Sequence, residues 1–139
     1  MIQTILGEKG TGKTKRLIDM TNDALKVEHG DIVFIDDDKR YMYDLRHEIR
    51  FVDISEYAKN FQADAFCAFI SGMLAANFDI SMIFIDAFKK IMVTPLDAPE
   101  TEAMFAALEK LSEEHSCKMI LSIGSAAETL PEYITKYSI

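Results

Sequence analysis

Eight residues near the start of the chain constrain it more than any other stretch. Gly7-Glu8-Lys9-Gly10-Thr11-Gly12-Lys13-Thr14 satisfies the pattern G-x-x-x-x-G-K-[ST] at every fixed position. At average residue frequencies, a random chain of this length contains that pattern about once in 200. The run before it, Ile2 to Leu6, is short, apolar and partly β-branched, which predicts a buried strand. The run after it, Lys13 to about Val27, puts Leu17, Ile18, Thr21, Ala24 and Leu25 on one helical face. Strand, glycine loop and helix form the setting the pattern requires. Gly7, Gly10 and Gly12 let backbone N–H groups turn inward around phosphate oxygens with no Cβ in the way. The positive end of the helix dipole points at the same spot. Lys13 is then the candidate to neutralise the β- and γ-phosphates, and the Thr14 hydroxyl the candidate ligand of Mg²⁺. Glu8, Lys9, Thr11 and Lys15 complete the stretch expected to contact nucleotide.

A second landmark lies 70 residues downstream. Ser81-Met82-Ile83-Phe84-Ile85-Asp86 reads as a buried parallel strand that delivers a carboxylate to its C-terminal tip. Strand C-termini face the ligand crevice in open α/β sheets. Asp86 is therefore expected to hold Mg²⁺ alongside Thr14 and to share the catalytic role with Lys13. Asp31 to Ile35 predicts another buried strand, running into Asp36-Asp37-Asp38. Three adjacent carboxylates repel one another, so they are expected at a solvent-facing strand end, where one of them, such as Asp36, positions Mg²⁺ or water. Lys118 to Ile123 is a further buried strand, and Ser122 or Ser125 at its end is a candidate sensor of the γ-phosphate.

The rest of the chain supplies cover. His29-Gly30 stops the first helix, with Gly30 as its cap. Lys39 to Arg50 reads as a surface helix or loop whose Tyr41 or Tyr43 could stack on a base, and Arg50 to Ile54 as an edge strand. Ser55 is expected to cap the next turn of chain, with Glu56 beside it as a second candidate for a catalytic carboxylate. Gln62 to Phe78 is apolar nearly all round and predicts a helix buried on most sides, part of it under a second subunit or against the sheet. Pro99 suits the first turn of a helix reaching about His115 with Met104, Leu108 and Leu111 inward. After Pro131, Ile134 to Ile139 alternates enough to predict a last strand.

Composition sets the remaining bounds. With 139 residues, 49% of them hydrophobic, the chain reads as one nucleotide-binding domain, residues 1 to 139, with a real core. No run approaches a membrane span, and with the first residues reading as a strand no signal peptide is expected. Cys67 and Cys117 lie in apolar stretches with no metal-like spacing, as expected of reduced thiols in a cytoplasmic protein. The three histidines are scattered, and a net charge of −8 argues against a nucleic-acid phosphate surface.

Gly10-Thr11-Gly12-Lys13-Thr14, then an apolar strand ending in Asp86, then a strand ending in a small polar residue, resembles the P-loop NTPases of the additional-strand division. That division includes RecA-like and AAA-type ATPases and type II thymidine kinases. More narrowly, the chain resembles small clostridial P-loop proteins that often carry a twitching-motility ATP-binding label. The pilus retraction ATPases to which that label alludes have a second domain and acidic and histidine motifs for which this chain has no room. The resemblance implies a three-layer, doubly wound α/β fold with a mainly parallel sheet. It further implies that the Lys118–Ile123 strand lies between the phosphate-loop strand and the Asp86 strand. The second strand would then lie beyond the Asp86 strand, and the C-terminal strand would flank Ile2–Leu6.

The departures from the family pattern shape the expected activity. Most ATPases of the division carry a water-activating glutamate after the strand-end Asp; here that position is Ala87. All four arginines, Arg16, Arg40, Arg46 and Arg50, lie in the first 50 residues, so a late phosphate-sensing arginine is missing. Asp86-Ala87-Phe88-Lys89 lacks the glycine of the G-protein D-x-x-G pattern, and no substrate-kinase lid is evident. The expectation is a Mg²⁺-dependent ATP-binding protein that is a weak ATPase, or one completed by an oligomer or protein partner. The alternatives are a small-molecule or nucleoside kinase, and a module that binds nucleotide without turnover.

Overall fold

A computed structural model describes all 139 residues. The strands are β1 (Ile2–Leu6), β2 (Asp31–Asp36), β3 (Arg50–Asp53), β4 (Ile80–Ile85) and β5 (Lys118–Ile123). The helices are α1 (Lys13–Ala24), α2 (Ala63–Ala76), α3 (Phe88–Ile91), α4 (Pro99–Glu114) and α5 (Glu132–Thr135). The five strands form a single sheet in the order β1-β5-β4-β2-β3, with every pairing parallel. The expected insertion of β5 between β1 and β4, with β2 beyond β4, is what the sheet contains. No helix is long and apolar enough to cross a membrane.

Alternation along the strands divides the interior into two cores, one on each face of the sheet. Val33, Ile35, Ile83, Ile85, Met119 and Leu121 join α2 and α4 through Phe66, Ile70, Met104, Phe105 and Leu108. Their neighbours in sequence, Ile32, Phe34, Met82, Phe84 and Ile120, turn to the other face and meet Leu17 and Ile18 of α1, with Leu45 and Ile49 from the segment before β3. Central strands buried on both faces must be apolar at consecutive positions, as these are. The larger core also carries a chain of edge-to-face aromatic contacts from Phe61 through Phe66 and Phe88 to Phe105.

Several local expectations are corrected. Helix α1 stops at Ala24 with Leu25 as its C-cap, so Gly30 is not the cap. Gly30 instead marks a close approach of two backbones, since a Cβ there would lie 2.4 Å from the Asp79 carbonyl oxygen. Ser55 does not cap the turn after β3; the Asp53 carboxylate does, accepting from the Ser55 N–H at 3.0 Å. Residues Ile134 to Ile139 do not form a strand. Pro131 starts the short helix α5, and only one parallel bridge, Thr4 to Ser138, flanks β1. Helix α2 is not buried on most sides: Ala63, Phe66, Ile70 and Leu74 are buried, whereas Ala65, Cys67, Phe69, Ser71 and Met73 are not, and Ala75 and Ala76 lie open at its end. Alanine favours a helix whether or not it is covered. Cys117 is buried, and that burial pushes its thiol up to about 11; Cys67 is half-buried.

Truncating the centre of the aromatic chain tests this packing. Phe66→Ala should cost about 3–5 kcal/mol in urea denaturation, the usual range for a buried aromatic. Ala65→Ser, at the neighbouring exposed position of the same helix, should change stability by less than about 0.5 kcal/mol.

Candidate nucleotide site

The site grows from the C-terminal edge of the sheet. Strand β1 ends at Leu6, and Gly7 turns the chain with φ 154°, its N–H donating to the Ser125 carbonyl at 3.0 Å. Any Cβ on Gly7 would meet the Thr11 hydroxyl at 2.7 Å, so the loop closes only around glycine there. Gly12 adopts φ 83°, a left-handed conformation that L-residues resist, and that bend starts α1 directly at Lys13. The first-turn amides of α1 and its dipole thus face the loop's interior. Lys13 Nζ donates to the Glu8 carbonyl oxygen at 2.8 Å. Partial burial lowers its pKa, and the nearby Asp86 charge pulls in the opposite direction. The Thr11 hydroxyl donates to the same carbonyl at 2.8 Å, while the Glu8 residue is exposed.

Asp86 follows β4 and is 3% exposed. The Thr14 hydroxyl donates to its Oδ2 at 3.0 Å, and the Ser122 hydroxyl of β5 donates to its Oδ1. Its own N–H donates to the Ile35 carbonyl at 2.9 Å, extending the β2–β4 ladder to the strand tips. A buried carboxylate joined to a threonine hydroxyl is an all-oxygen donor set, the kind a hard divalent cation takes. Ala87 then adopts φ 54°, unusual for alanine, and its N–H donates to Ser122 Oγ at 3.3 Å. This sharp turn starts α3 at once and carries Lys89 and Lys90 to the wall of the cavity.

Asp36 corrects the expectation of a solvent-facing triad. It is 2% exposed, while Asp37 and Asp38 are half-buried. The reason lies in the register: Ile35 pairs with Ile85, so the tip of β2 ends beside the tip of β4. Asp36 Oδ1 accepts the Asp37 N–H at 2.8 Å, and Oδ2 has no partner. Burial, with contributions from the neighbouring Asp37 and Asp86 carboxylates, pushes the Asp36 carboxyl up to about 8.

One cavity of about 660 Å³ gathers Lys9, Gly10, Gly12, Lys13, Thr14 and Lys15 with Asp36, Asp37, Asp38 and Asp86. Arg40, Tyr41, Lys89, Lys90, Ser122 and Gly124 also line it. Lys15 reaches it at the rim while its ammonium pairs with Asp19 at 2.8 Å. Five expected residues do not line it: Gly7, Glu8 and Thr11 belong to the loop but lie outside the lining, and two more are placed elsewhere. Glu56 is exposed and pairs with Lys39, and the Ser125 hydroxyl accepts from Lys89 Nζ at 3.1 Å without lining the cavity. Of the two tyrosines, Tyr41 lines the cavity and Tyr43 is 90% exposed. Sequence reasoning missed Arg40, Lys89 and Lys90. The signal for the lysines was their place immediately after the Asp86 strand, but nothing in the sequence announces the left-handed turn at Ala87.

Comparison with known proteins adds the fold. No family model matches the chain. No curated protein matches it either. Among solved structures it is similar to the flagellar accessory protein FlaH from Methanocaldococcus jannaschii, with a TM-score of 0.59 at 12% identity. The match covers 97% of this chain and 65% of that one, so the chain spans just under two-thirds of that structure. At this identity the likeness is one of fold: a parallel α/β sheet.

The Asp36 environment has a pH signature. An unfolded aspartate titrates near 3.9, so between about pH 4 and pH 8 the folded protein holds a proton that the unfolded chain has released. Stability therefore falls as pH rises through that window. Asp36→Asn cannot ionise, and its melting temperature in chelator without nucleotide should exceed wild type by several degrees at pH 8. The gap should close toward pH 4. A gap independent of pH would mean that Asp36 is ionised in the folded protein throughout.

Proposed function

We propose that this chain is a Mg²⁺-dependent ATP-binding protein whose intrinsic hydrolysis is weak, with faster turnover requiring a group from a partner or a second copy. The single observation that carries the reading is the hydrogen bond from Thr14 to Asp86, 3.0 Å long, at the mouth of a glycine loop that ends in Lys13. It joins the two elements that any P-loop nucleotide site must bring together. Backbone N–H groups of Gly10 to Thr14 and the start of α1 would bind the phosphates, and Lys13 would neutralise them. Thr14 and Asp86 would hold Mg²⁺, which when bound neutralises charge on the phosphate oxygens. The likeness to FlaH supports the reading at the level of fold alone.

Turnover needs more than binding. Ala87 stands where the family places a water-activating glutamate, and Asp36 on the adjacent strand tip is the carboxylate nearest in the sheet to fill that role. Lys89, held by Ser125 on the cavity wall, is the chain's own candidate to meet charge on the terminal phosphate in place of an arginine. A kinase reading draws support from the same cavity, where Arg40, Tyr41 and Lys90 offer cationic and aromatic groups to an anionic acceptor. Product analysis separates the two readings: ADP with free phosphate, or ADP with a phosphorylated acceptor.

MgATP at a hundredfold excess over Kd should stabilise the protein by about 2.7 kcal/mol, a shift of several degrees in a thermal scan. Lys13→Ala should remove most of that shift, and no response to ATP, ADP or GTP would defeat the nucleotide reading. The isolated chain should hydrolyse ATP at no more than ~10⁻⁴–10⁻³ per second, the rate of a stand-alone G protein. Lys89→Ala should weaken binding of a non-hydrolysable ATP analogue about tenfold, the value of one charge-assisted hydrogen bond, and leave ADP affinity unchanged. Equal losses for both nucleotides would place Lys89 away from the terminal phosphate.

A further inference from the structure

We propose that Asp36, Asp37 and Asp38 form a second divalent-cation site, separate from the Thr14–Asp86 pair and able to fill without nucleotide. Asp36 Oδ2 motivates it. Only two buried side-chain oxygens in the chain have no hydrogen-bond partner, and the other, Ser81 Oγ, is a neutral hydroxyl far down the sheet near the start of β4. Buried without a donor, the Asp36 oxygen is tolerated only while the carboxyl keeps its proton or where a cation takes the proton's place. No side chain of this protein does so. Arg40 pairs with Asp38 at 3.1 Å, Lys39 with Glu56, Lys13 with a loop carbonyl and Lys89 with Ser125. Asp36 and Asp37 are left with no ion pair.

The donor geometry suits a metal ion. One carboxylate oxygen from each of the three aspartates lies within 4.8 Å of the others. A hard cation binds oxygens at about 2.0–2.6 Å, which leaves ligand atoms about 3–5 Å from one another around it. All three donors are carboxylates, with no histidine or thiol among them, so Mg²⁺, Mn²⁺ or Ca²⁺ fits the set and zinc does not. All three also face the same cavity as Thr14 and Asp86, so an ion has a path in. The β2 and β4 tips are adjacent, and neighbouring strands lie about 4.8 Å apart, close to the separation of paired ions in two-metal sites, about 3.5–4 Å.

Counting bound Mn²⁺ by electron paramagnetic resonance on chelator-stripped protein tests the proposal. Wild type should bind one Mn²⁺ with Kd below about 1 mM in the absence of nucleotide and two in the presence of a non-hydrolysable ATP analogue. Asp37→Asn/Asp38→Asn should weaken the nucleotide-free ion at least tenfold, and Asp86→Asn should leave it in place. Asp36→Asn, which keeps the shape of the buried side chain, serves as the second test and should also weaken it; circular dichroism confirms folding of each variant. A nucleotide-free ion lost with Asp86→Asn but kept in the triad variants overturns the proposal, as does the absence of any nucleotide-free ion or a count of one with the analogue bound. Failure of the ATP analogue to bind would instead strike the nucleotide reading and leave the nucleotide-free count standing.

Discussion

The Asp86 carboxylate is the joint on which the rest of this structure depends. It is buried, and buried charge is tolerated only where its lone pairs are met. Thr14 meets it from α1, Ser122 from β5, and the main chain beside it is bonded to Ile35 of β2. Four elements distant in sequence are thus fixed around one residue. The glycine loop is held at both ends of its span, by Thr14 at the helix start and by the Gly7 N–H on the Ser125 carbonyl. This arrangement sets where the loop opens and which carboxylates it faces, and so limits what the cavity can bind.

Much of this was legible in the sequence because it is written in local terms. Buried parallel strands must be apolar at consecutive positions, so β2, β4 and β5 could be read directly. The glycine pattern fixes a loop shape that few other folds need, which is why Gly12, Lys13 and Thr14 could be placed from their spacing alone. What failed were expectations that depend on neighbours far along the chain. Gly30 looks like a helix cap, yet its reason for being glycine is the carbonyl of Asp79. Asp36 looks like part of a solvated acidic run, yet the register of β2 against β4 buries it. The apolar stretch in α2 promised burial all round, but much of it consists of alanines that form a helix without needing cover.

The turn at Ala87 joins the legible and illegible parts. The sequence gives only an alanine just after the Asp86 strand end. The structure makes it a left-handed residue at the tip of the central strand, anchored to Ser122, and this conformation redirects the chain so that two lysines reach the cavity. Backbone held in such a conformation by a non-glycine residue must be over-determined by its surroundings. Here Phe88, fully buried between Phe66 and Phe105, supplies that constraint immediately after the turn.

The two faces of the sheet are unequally covered. Two long helices lie on one side; on the other, α1 and the short segment around Leu45 and Ile49 are all that seals the strands. Segments with few buried contacts open locally at lower free energy than the rest of a fold. The helix that begins at the glycine loop is the one long helix on its face of the sheet. A ligand gripping its first turn would suppress that opening, so occupancy would be felt as stiffness along α1 out to Asn22, whose side chain bonds the backbone of Asp44 and Arg46 at the far end of the helix. The loop and the segment around Asp44 and Arg46 are thus tied to the two ends of one helix.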